Sequence, residues 1–599
     1  MSQKSRVEDV RKFRVDAADL AASRKPVTHQ SNGEEDEATA AAEGFPMSFT
    51  KGLEHDQATG RVVDPAQYTA FVAAIDGGTS PAFSDGSITV SGQKKRKWEA
   101  PTAGFVSDLQ GPDAQAVTMP PAPKLGSDEL TFEMAEVYEL AILRDVPFAA
   151  FRDGGHAQSA AVTGSVARLS KLPYANTRPS DGLTAQNVFR GFAAGEDVGP
   201  LLSQFLLIGS PDYSRAGAKD ITGGQIQYGA QTIDQRVPLA IPRKDFMTTR
   251  DSWREVQNGA DTRVGMQAQL FEQDEPRRFM ATPRDLATYV HDDALYQAYL
   301  NACLLLLASG MPFDPGFSDL HGVGRDDLQA GGFALWGGPH ILSLVTEVAT
   351  RGLKAVRWQK FNIHRRLRPE ALAGRLEYLP AETKTDDSTD ARLAKMQQDL
   401  LDAGTLTEIR ALNARNNATH FSDEGETDLL PMAFQEGSPM HPAYGAGHAT
   451  VAGACVTILK AFFDTSRELR MDDKGRPNFV LAGSSGDPWA FVASDDGSEL
   501  VPYALAEGEV LTLESELNKL AGNISIGRNM AGVHYYTDYS ESVLMGEKIA
   551  VGMLEEQALG YFKEDFIQRL TTFQGEVITI GKAGALKADG TFYLERNKP

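Results

Sequence analysis

Two cysteines in 599 residues are too few for a disulfide framework. Cys303 and Cys455 sit in apolar, helix-like settings, N-A-C-L-L-L-L and A-G-A-C-V-T-I-L, and read as buried, inert thiols. No apolar run reaches the roughly 18 residues that a membrane span needs. The opening M-S-Q-K-S-R-V-E-D-V-R-K-F-R-V-D-A-A-D-L carries no apolar signal core, so a soluble protein is expected, cytoplasmic by default. Positive charge is scarce. Lys and Arg number 59 against 81 Asp and Glu, and the net charge of −22 argues against nucleic acid or an anionic membrane as partner. No internal repeat appears at a fixed period.

What remains is the composition of a globular protein, 42% hydrophobic and 23% charged. Residues 1–125 read as a charged, alanine-rich arm followed by a loop-rich extension, with a short helix at Pro65–Ile75. Residues 126–572 read as the main unit. Helices are predicted there over Ser127–Arg144, Pro283–Ser309, Ile341–Leu367, Ala391–Asn413 and Asp538–Phe562, and a strand pair over Gln225–Ile241. Met471–Val510 reads as an irregular insert. Residues 573–599 form a tail with a hairpin predicted between Glu576–Ile580 and Thr591–Glu595. The fold class is all-α, a helix-bundle core with long loops and minor β-hairpins.

Against the acidic background one basic stretch stands out, Arg357 to Pro369, R-W-Q-K-F-N-I-H-R-R-L-R-P. At helical spacing Arg357, Lys360, His364 and Arg368 share an arc of roughly 80°. Converging fixed cations need an anion; a solvated basic face is the plainer alternative. Pro369 disfavours helical geometry at Arg368 and predicts the helix end there. A second motif is His441-Pro442-Ala443-Tyr444-Gly445-Ala446-Gly447-His448, a glycine turn running into an apolar helix. The unpaired N–H groups of such a helix start suit an anion, and His448 stands where it can exchange protons with one. The third runs from Gly527 to Asp538, where His534 and Asp538 are one helical turn apart. The carboxylate can then hold one ring nitrogen and leave the other free as ligand or nucleophile.

Together the motifs resemble the vanadium-dependent haloperoxidases and, more distantly, the acid phosphatases that share their anion site. The family pattern of Lys with Arg-Pro, a Ser-Gly-His loop, then Arg, His and Asp is met here by Lys360 with Arg368-Pro369, by Ala446-Gly447-His448, and by Arg528, His534 and Asp538. The likeness is to bromoperoxidases of the red algal and cyanobacterial type. It runs through F-T-K-G-L, D-L-Q-G-P-D-A-Q, M-P-P-A-P, V-P-L-A-I-P-R-K-D-F-M-T, K-F-N-I-H-R-R-L-R-P-E and I-S-I-G-R-N-M-A-G-V-H-Y.

The resemblance implies oxidation of bromide or iodide by hydrogen peroxide on bound vanadate, with hypohalous acid passed to organic halogen acceptors. It implies His534 as vanadium ligand, Lys360, Arg368, Arg528 and the Gly447 N–H on the vanadate oxygens, and His448 as the acid–base group. His441 and Arg357 would line the halide pocket. It also implies a calcium site at Leu320, Gly322, Asp327 and Gln329, whose oxygens suit that ion. A homo-oligomer, twelve subunits in the red algal enzymes, is implied too. One position departs from the pattern. Ala446 stands where serine is usual, so a hydroxyl that would bond the anion is missing. An acid phosphatase, with His534 as the phosphorylated group, and a non-catalytic oxyanion-binding shell are the alternatives.

Overall fold

The computed structural model describes residues 3–35, 40–78, 83, 88–93, 95–152, 154–178, 182–211, 221–263, 277–317, 331–380, 388–421, 425–561 and 567–597. Fourteen α-helices lie among the described residues. The first four are α1 (Gln3–Ser23), α2 (Pro65–Asp76), α3 (Asp128–Ile142) and α4 (Ser159–Leu169). Then come α5 (Arg250–Gln257), α6 (Pro283–Asp292), α7 (Gln297–Ala308), α8 (Gly338–Trp358) and α9 (Pro369–Glu377). The last five are α10 (Thr389–Ala403), α11 (Thr405–His420), α12 (Gly447–Phe462), α13 (Leu513–Met530) and α14 (Tyr536–Leu559). Among the described residues the β-structure is confined to small antiparallel sheets, so the all-α expectation stands.

Helix α12 is the axis of the bundle. Its sequence, G-H-A-T-V-A-G-A-C-V-T-I-L-K-A-F, has no continuous polar face, and every residue but His448 is buried. A helix apolar all round belongs at the centre. It packs against α14, α8 and α13. Two glycines let α12 and α14 touch: a Cβ on Gly453 would meet the Val543 carbonyl at 2.0 Å, and one on Gly546 the Thr450 carbonyl at 2.1 Å. That contact lays the start of α14 beside the start of α12, where the second and third motifs meet.

Several predicted elements are broken where polar groups are needed. The single helix expected over Pro283–Ser309 is two, α6 and α7, because Asp293 is extended and its carboxylate turns inward. The helix expected to run to Leu367 leaves α-geometry after Trp358, forms a π-helical turn over Gln359–His364, and stops at Arg365 in the left-handed region (φ 37°). Gly404, also left-handed, divides the helix expected over Ala391–Asn413 into α10 and α11. The strand pair is real, β1 (Gln225–Tyr228) with β2 (Gln231–Asp234). The insert taken as irregular holds two hairpins, β3 (Glu468–Met471) with β4 (Pro477–Val480), and β5 (Phe491–Ala493) with β6 (Leu500–Pro502).

At the C-terminus the predicted hairpin partner is wrong. Strand β8 (Val577–Gly581) pairs with β7 (Gln568–Thr571) and with β9 (Gly584–Lys587), not with Thr591–Glu595. The turn at residues 582–583 is far shorter than the connection between the two predicted strands, and a tight two-residue turn is the favoured hairpin link. Cys303 and Cys455 are free and buried, and burial alone pushes both thiols up in pKa. Among the described residues no helix is long and apolar enough to cross a membrane.

Candidate active site

The π-helical turn places Lys360. Its extra residue per turn swings the side chain under the His441–His448 loop, where Nζ donates to the carbonyls of Pro442 (2.6 Å) and Ala443 (3.0 Å). The left-handed Arg365 then redirects the chain, and Arg368 follows in extended geometry as the residue before Pro369 of α9. Its Nε donates to the His441 carbonyl (2.9 Å), Nη1 to the Val533 carbonyl (2.7 Å) and His534 Nε2 (2.9 Å), and Nη2 to His441 Nδ1 (2.8 Å). Arg528, near the end of α13, donates through Nη1 to the Val290 carbonyl (2.6 Å), and its buried Nε has no partner among the described residues.

These three cations are at most 4% exposed, and among the described residues none has a carboxylate within ion-pair reach. Four other buried cations differ. Lys51 lies 2.7 Å from Glu370, Arg144 2.5 Å from Asp245, Arg366 2.9 Å from Asp538, and Lys519 2.7 Å from Glu516. Arg190 and Arg375 bury singly against carbonyls. Burial lowers the pKa of Lys360, Arg368 and Arg528, and two of them also feel a neighbouring cation. Burial first, then Arg368 and Arg357, holds Lys360 well below its ordinary pKa. Arg368 is brought down to about 9 by burial, with Arg528 adding. A bound anion would relieve all three.

The expected arc is only partly realised. Arg357, Lys360 and Arg368 turn toward the site, whereas His364 does not. Its ring is buried edge-on against Tyr444 at 4.7 Å, and burial brings its pKa down to about 3. A straight helix would have carried all four on one face; the π-helical turn and the break at Arg365 rotate His364 away.

His534 is held from below. Its Nδ1 donates to Asp538 Oδ2 (2.7 Å), which also accepts from the Tyr535 N–H (3.1 Å). The four-residue spacing works, though not along one helix: His534 precedes α14, and Asp538 reaches back from its first turn as a capping carboxylate. Arg366, itself paired with Glu133, fixes the other Asp538 oxygen at 2.9 Å. Burial, then Arg368, Lys360 and Arg528, keeps His534 well below its ordinary pKa, so the ring is neutral and Nε2 bears a lone pair.

Ala446 is the N-cap of α12 and has no side-chain capping bond; Gly447 and His448 open the helix. A Cβ on Gly447 would meet Leu353 at 3.7 Å, so there is room beside its Cα, and its N–H belongs to the helix start that has no intrahelical acceptor. His448 Nε2 lies 3.0 Å from Asp293 Oδ1. Burial lowers the His448 pKa, and Asp293 opposes the shift. A cavity of about 260 Å³ is lined by Arg357, His441, Gly447, His448, Arg528 and His534, together with Arg96, Glu99, Asp293, His291 and Glu436. Arg96 donates to the carbonyls of Glu436 (3.2 Å) and Ser438 (3.1 Å).

Sequence reasoning missed Asp293, Glu99 and Arg96. The Asp292-Asp293 pair inside an apolar run was a usable sign of a helix break. Nothing local marked Glu99 or Arg96, which come from the extension far upstream. The predicted calcium residues Leu320, Gly322, Asp327 and Gln329 lie outside the described residues.

A family model described as the second helical-bundle domain of VCPO matches residues 406–559. The chain is 41% identical over 615 residues to the vanadium-dependent bromoperoxidase of Corallina pilulifera, covering 95% of this chain and 97% of that protein. The enzyme of that name from Ascophyllum nodosum is 31% identical, with 90% of this chain and 88% of that protein covered. A solved structure, the homohexameric second vanadate-dependent bromoperoxidase (AnII) from Ascophyllum nodosum, superposes with a TM-score of 0.80 at 25% identity, covering 98% of this chain and 93% of that one. With identity of this extent spanning both the bundle and the extension, the chain belongs to the vanadium-dependent bromoperoxidase family.

Proposed function

We propose that this cavity binds vanadate and oxidises bromide, and iodide, with hydrogen peroxide, releasing hypohalous acid to organic acceptors. The observation that carries the reading is that Lys360, Arg368 and Arg528, none with a carboxylate in ion-pair reach among the described residues, gather on the loop and histidines that line one cavity with the start of α12. The donor set fits an oxyanion of the vanadate type: three cations, the Gly447 N–H at the start of α12 and one neutral imidazole nitrogen.

In this reading Lys360, Arg368, Arg528 and the Gly447 N–H hold the oxygens, His534 Nε2 supplies the ligand nitrogen, and Ala446 flanks them. Bound vanadate supplies a Lewis-acid centre that polarises peroxide oxygen. His448 moves the proton that the net reaction consumes, steadied by Asp293. His441 and Arg357 receive the halide. The buried walls keep bulk water away from these charges and strengthen their action.

The same reading takes residues 126–572 as the catalytic unit, residues 1–125 as the extension that closes over it, and 573–599 as the tail. Glu99 and Arg96 at the cavity support the extension's part in the site. Calcium at residues 320–329 is proposed from the sequence alone. A homo-oligomer is proposed as well, with twelve subunits as the specific expectation; light scattering on the intact protein tests that number. No observation favours a phosphatase or a storage shell.

The deciding assay is peroxide-dependent bromination of a dye with and without added vanadate. Vanadate-dependent bromination is the expected result. Cleavage of a nitrophenyl phosphate ester without vanadate, and no bromination, would return the phosphatase reading.

A further inference from the structure

Four histidines around the cavity each face a carboxylate, and three of the pairs are closed. His534 meets Asp538 at 2.7 Å, His291 meets Glu436 at 2.8 Å and His448 meets Asp293 at 3.0 Å. The fourth is open: His441 Nε2 stands 3.5 Å from Glu99 Oε2. That oxygen is also 3.7 Å from Arg357 Nη2, and Oε1 is 3.6 Å from Arg96 Nη2. All three separations exceed the roughly 2.7–2.9 Å of a charge-assisted hydrogen bond.

The loose pair is also the exposed one. The Glu99 side chain is 43% exposed, against 0% for Asp538, 3% for Asp293 and 6% for Glu436. Its backbone is nonetheless anchored. The Glu99 N–H donates to the Met440 carbonyl at 3.1 Å, tying it to the segment that carries His441, and Ala100 follows in the left-handed region (φ 47°). A fixed backbone thus carries a carboxylate that reaches a cationic wall without closing a bond on it, and that has solvent to turn into. Arg357 makes no side-chain hydrogen bond among the described residues; Glu99 is its one charge partner there.

We propose that Glu99 is the built-in counter-anion of the halide subsite, a carboxylate resting on Arg357, His441 and Arg96 that an incoming halide must displace. The inference rests on reading Arg357 and His441 as the halide pocket. It adds a specificity-determining residue from the N-terminal extension. Halide binding is an exchange of one anion for another on two fixed guanidinium groups and one imidazole, so Glu99 sets how tightly any monovalent anion is held. It also neutralises Arg357 when the subsite is free of halide, which lets that cation remain mostly buried.

The test compares Glu99→Gln, Glu99→Asp and Arg357→Gln in the full-length, vanadate-loaded enzyme. Removing a half-exposed charge that competes with the halide for Arg357 should lower the bromide KM by about tenfold while kcat changes little. Nitrate should inhibit Glu99→Gln more strongly by a similar factor. Glu99→Asp keeps the charge on a shorter stem and should fall between the two. A readout independent of turnover is bromine NMR line broadening with vanadate-free protein, where Glu99→Gln should saturate at lower bromide. If Glu99→Gln leaves the bromide KM unmoved while Arg357→Gln raises it, the counter-anion role is wrong and the halide pocket survives. If Arg357→Gln also leaves KM unmoved, the halide-pocket reading fails first. A fall in kcat at constant KM would make Glu99 part of the proton path and overturn the proposal.

Discussion

Asp293 and His448 meet at 3.0 Å across 155 residues of chain. The contact requires the helix that begins at Pro283 to stop, and it explains the break between α6 and α7 in terms of the site. A buried carboxylate beside a buried imidazole favours the protonated ring, so Asp293 keeps His448 within reach of protonation where burial alone would push it further down.

His448→Ala is expected to keep vanadate binding and lose turnover by about 10²- to 10⁴-fold, the usual range for a lost acid–base group. Asp293→Asn removes the opposing charge, so the His448 pKa falls and its limb of the kcat profile moves to lower pH. A pH–rate profile of both variants, with a vanadate titration alongside, checks this. Equal losses of binding and turnover in His448→Ala would make it a ligand instead.

His534→Ala is expected to abolish bromination with the fold unchanged. The ring contributes Nε2 to the cavity, while Asp538 keeps its bonds to Arg366 and the Tyr535 N–H in its absence. Circular dichroism checks the fold and a vanadate titration the ligand. A variant that retains most of its vanadate-dependent bromination would remove His534 from the centre.

Much of this was legible in the chain. The helix after His448 is apolar all round, and the glycine turn before it marks its start, so α12 and its N-terminus could be read directly. The three motif segments do meet at one cavity. What was not legible were the breaks. A π-helical turn leaves no mark in hydrophobic periodicity, so Lys360 and Arg368 appeared to share a helix face that includes His364. Asp538 reaches His534 as a cap, a geometry that the same four-residue spacing permits as readily as a helical turn. Glu99 and Arg96 were hidden for another reason: only tertiary contact with the 436–441 segment brings them to the site.

The fold should weaken in acid through histidines buried in the neutral form. His55, bonded to Thr50 Oγ1 and Asn258, is brought down to about 3 by burial, and His364 likewise. The unfolded chain binds their protons below about pH 6.5, so stability is full above that value and falls as pH drops toward 3. The slope is about 1.4 kcal/mol per pH unit for each ring, or about 2 kcal/mol each between pH 6.5 and 5. His55→Gln cannot titrate and should show a flatter fall in denaturation midpoint over that window. An unchanged slope would mean that the ring is already charged in the folded protein.

Ala446→Ser restores the one hydroxyl that the cavity lacks. The position is 1% exposed, in β geometry, and caps α12 through its backbone only. A serine there has two partners in reach of one oxygen. Its lone pair can accept from a free N–H of the first helical turn, which is worth about 1 kcal/mol of stability. Its proton can meanwhile point at an anion oxygen, a charge-assisted bond worth roughly 1–3 kcal/mol, or about tenfold to a hundredfold in affinity. The two do not compete, because one uses the acceptor and the other the donor side of the same group. Strain should be small, since the change adds a single oxygen atom to a backbone that Ser542 already holds through the Ala446 N–H (2.8 Å). Vanadate titration of the vanadate-free protein, read by bromination rate, measures the second effect, and thermal unfolding without vanadate measures the first. Stabilisation without tighter vanadate would mean that the hydroxyl caps the helix but does not face the anion. Weaker vanadate binding would mean that the start of α12 does not hold the oxyanion, and the site would have to be rebuilt around Arg368 and His534.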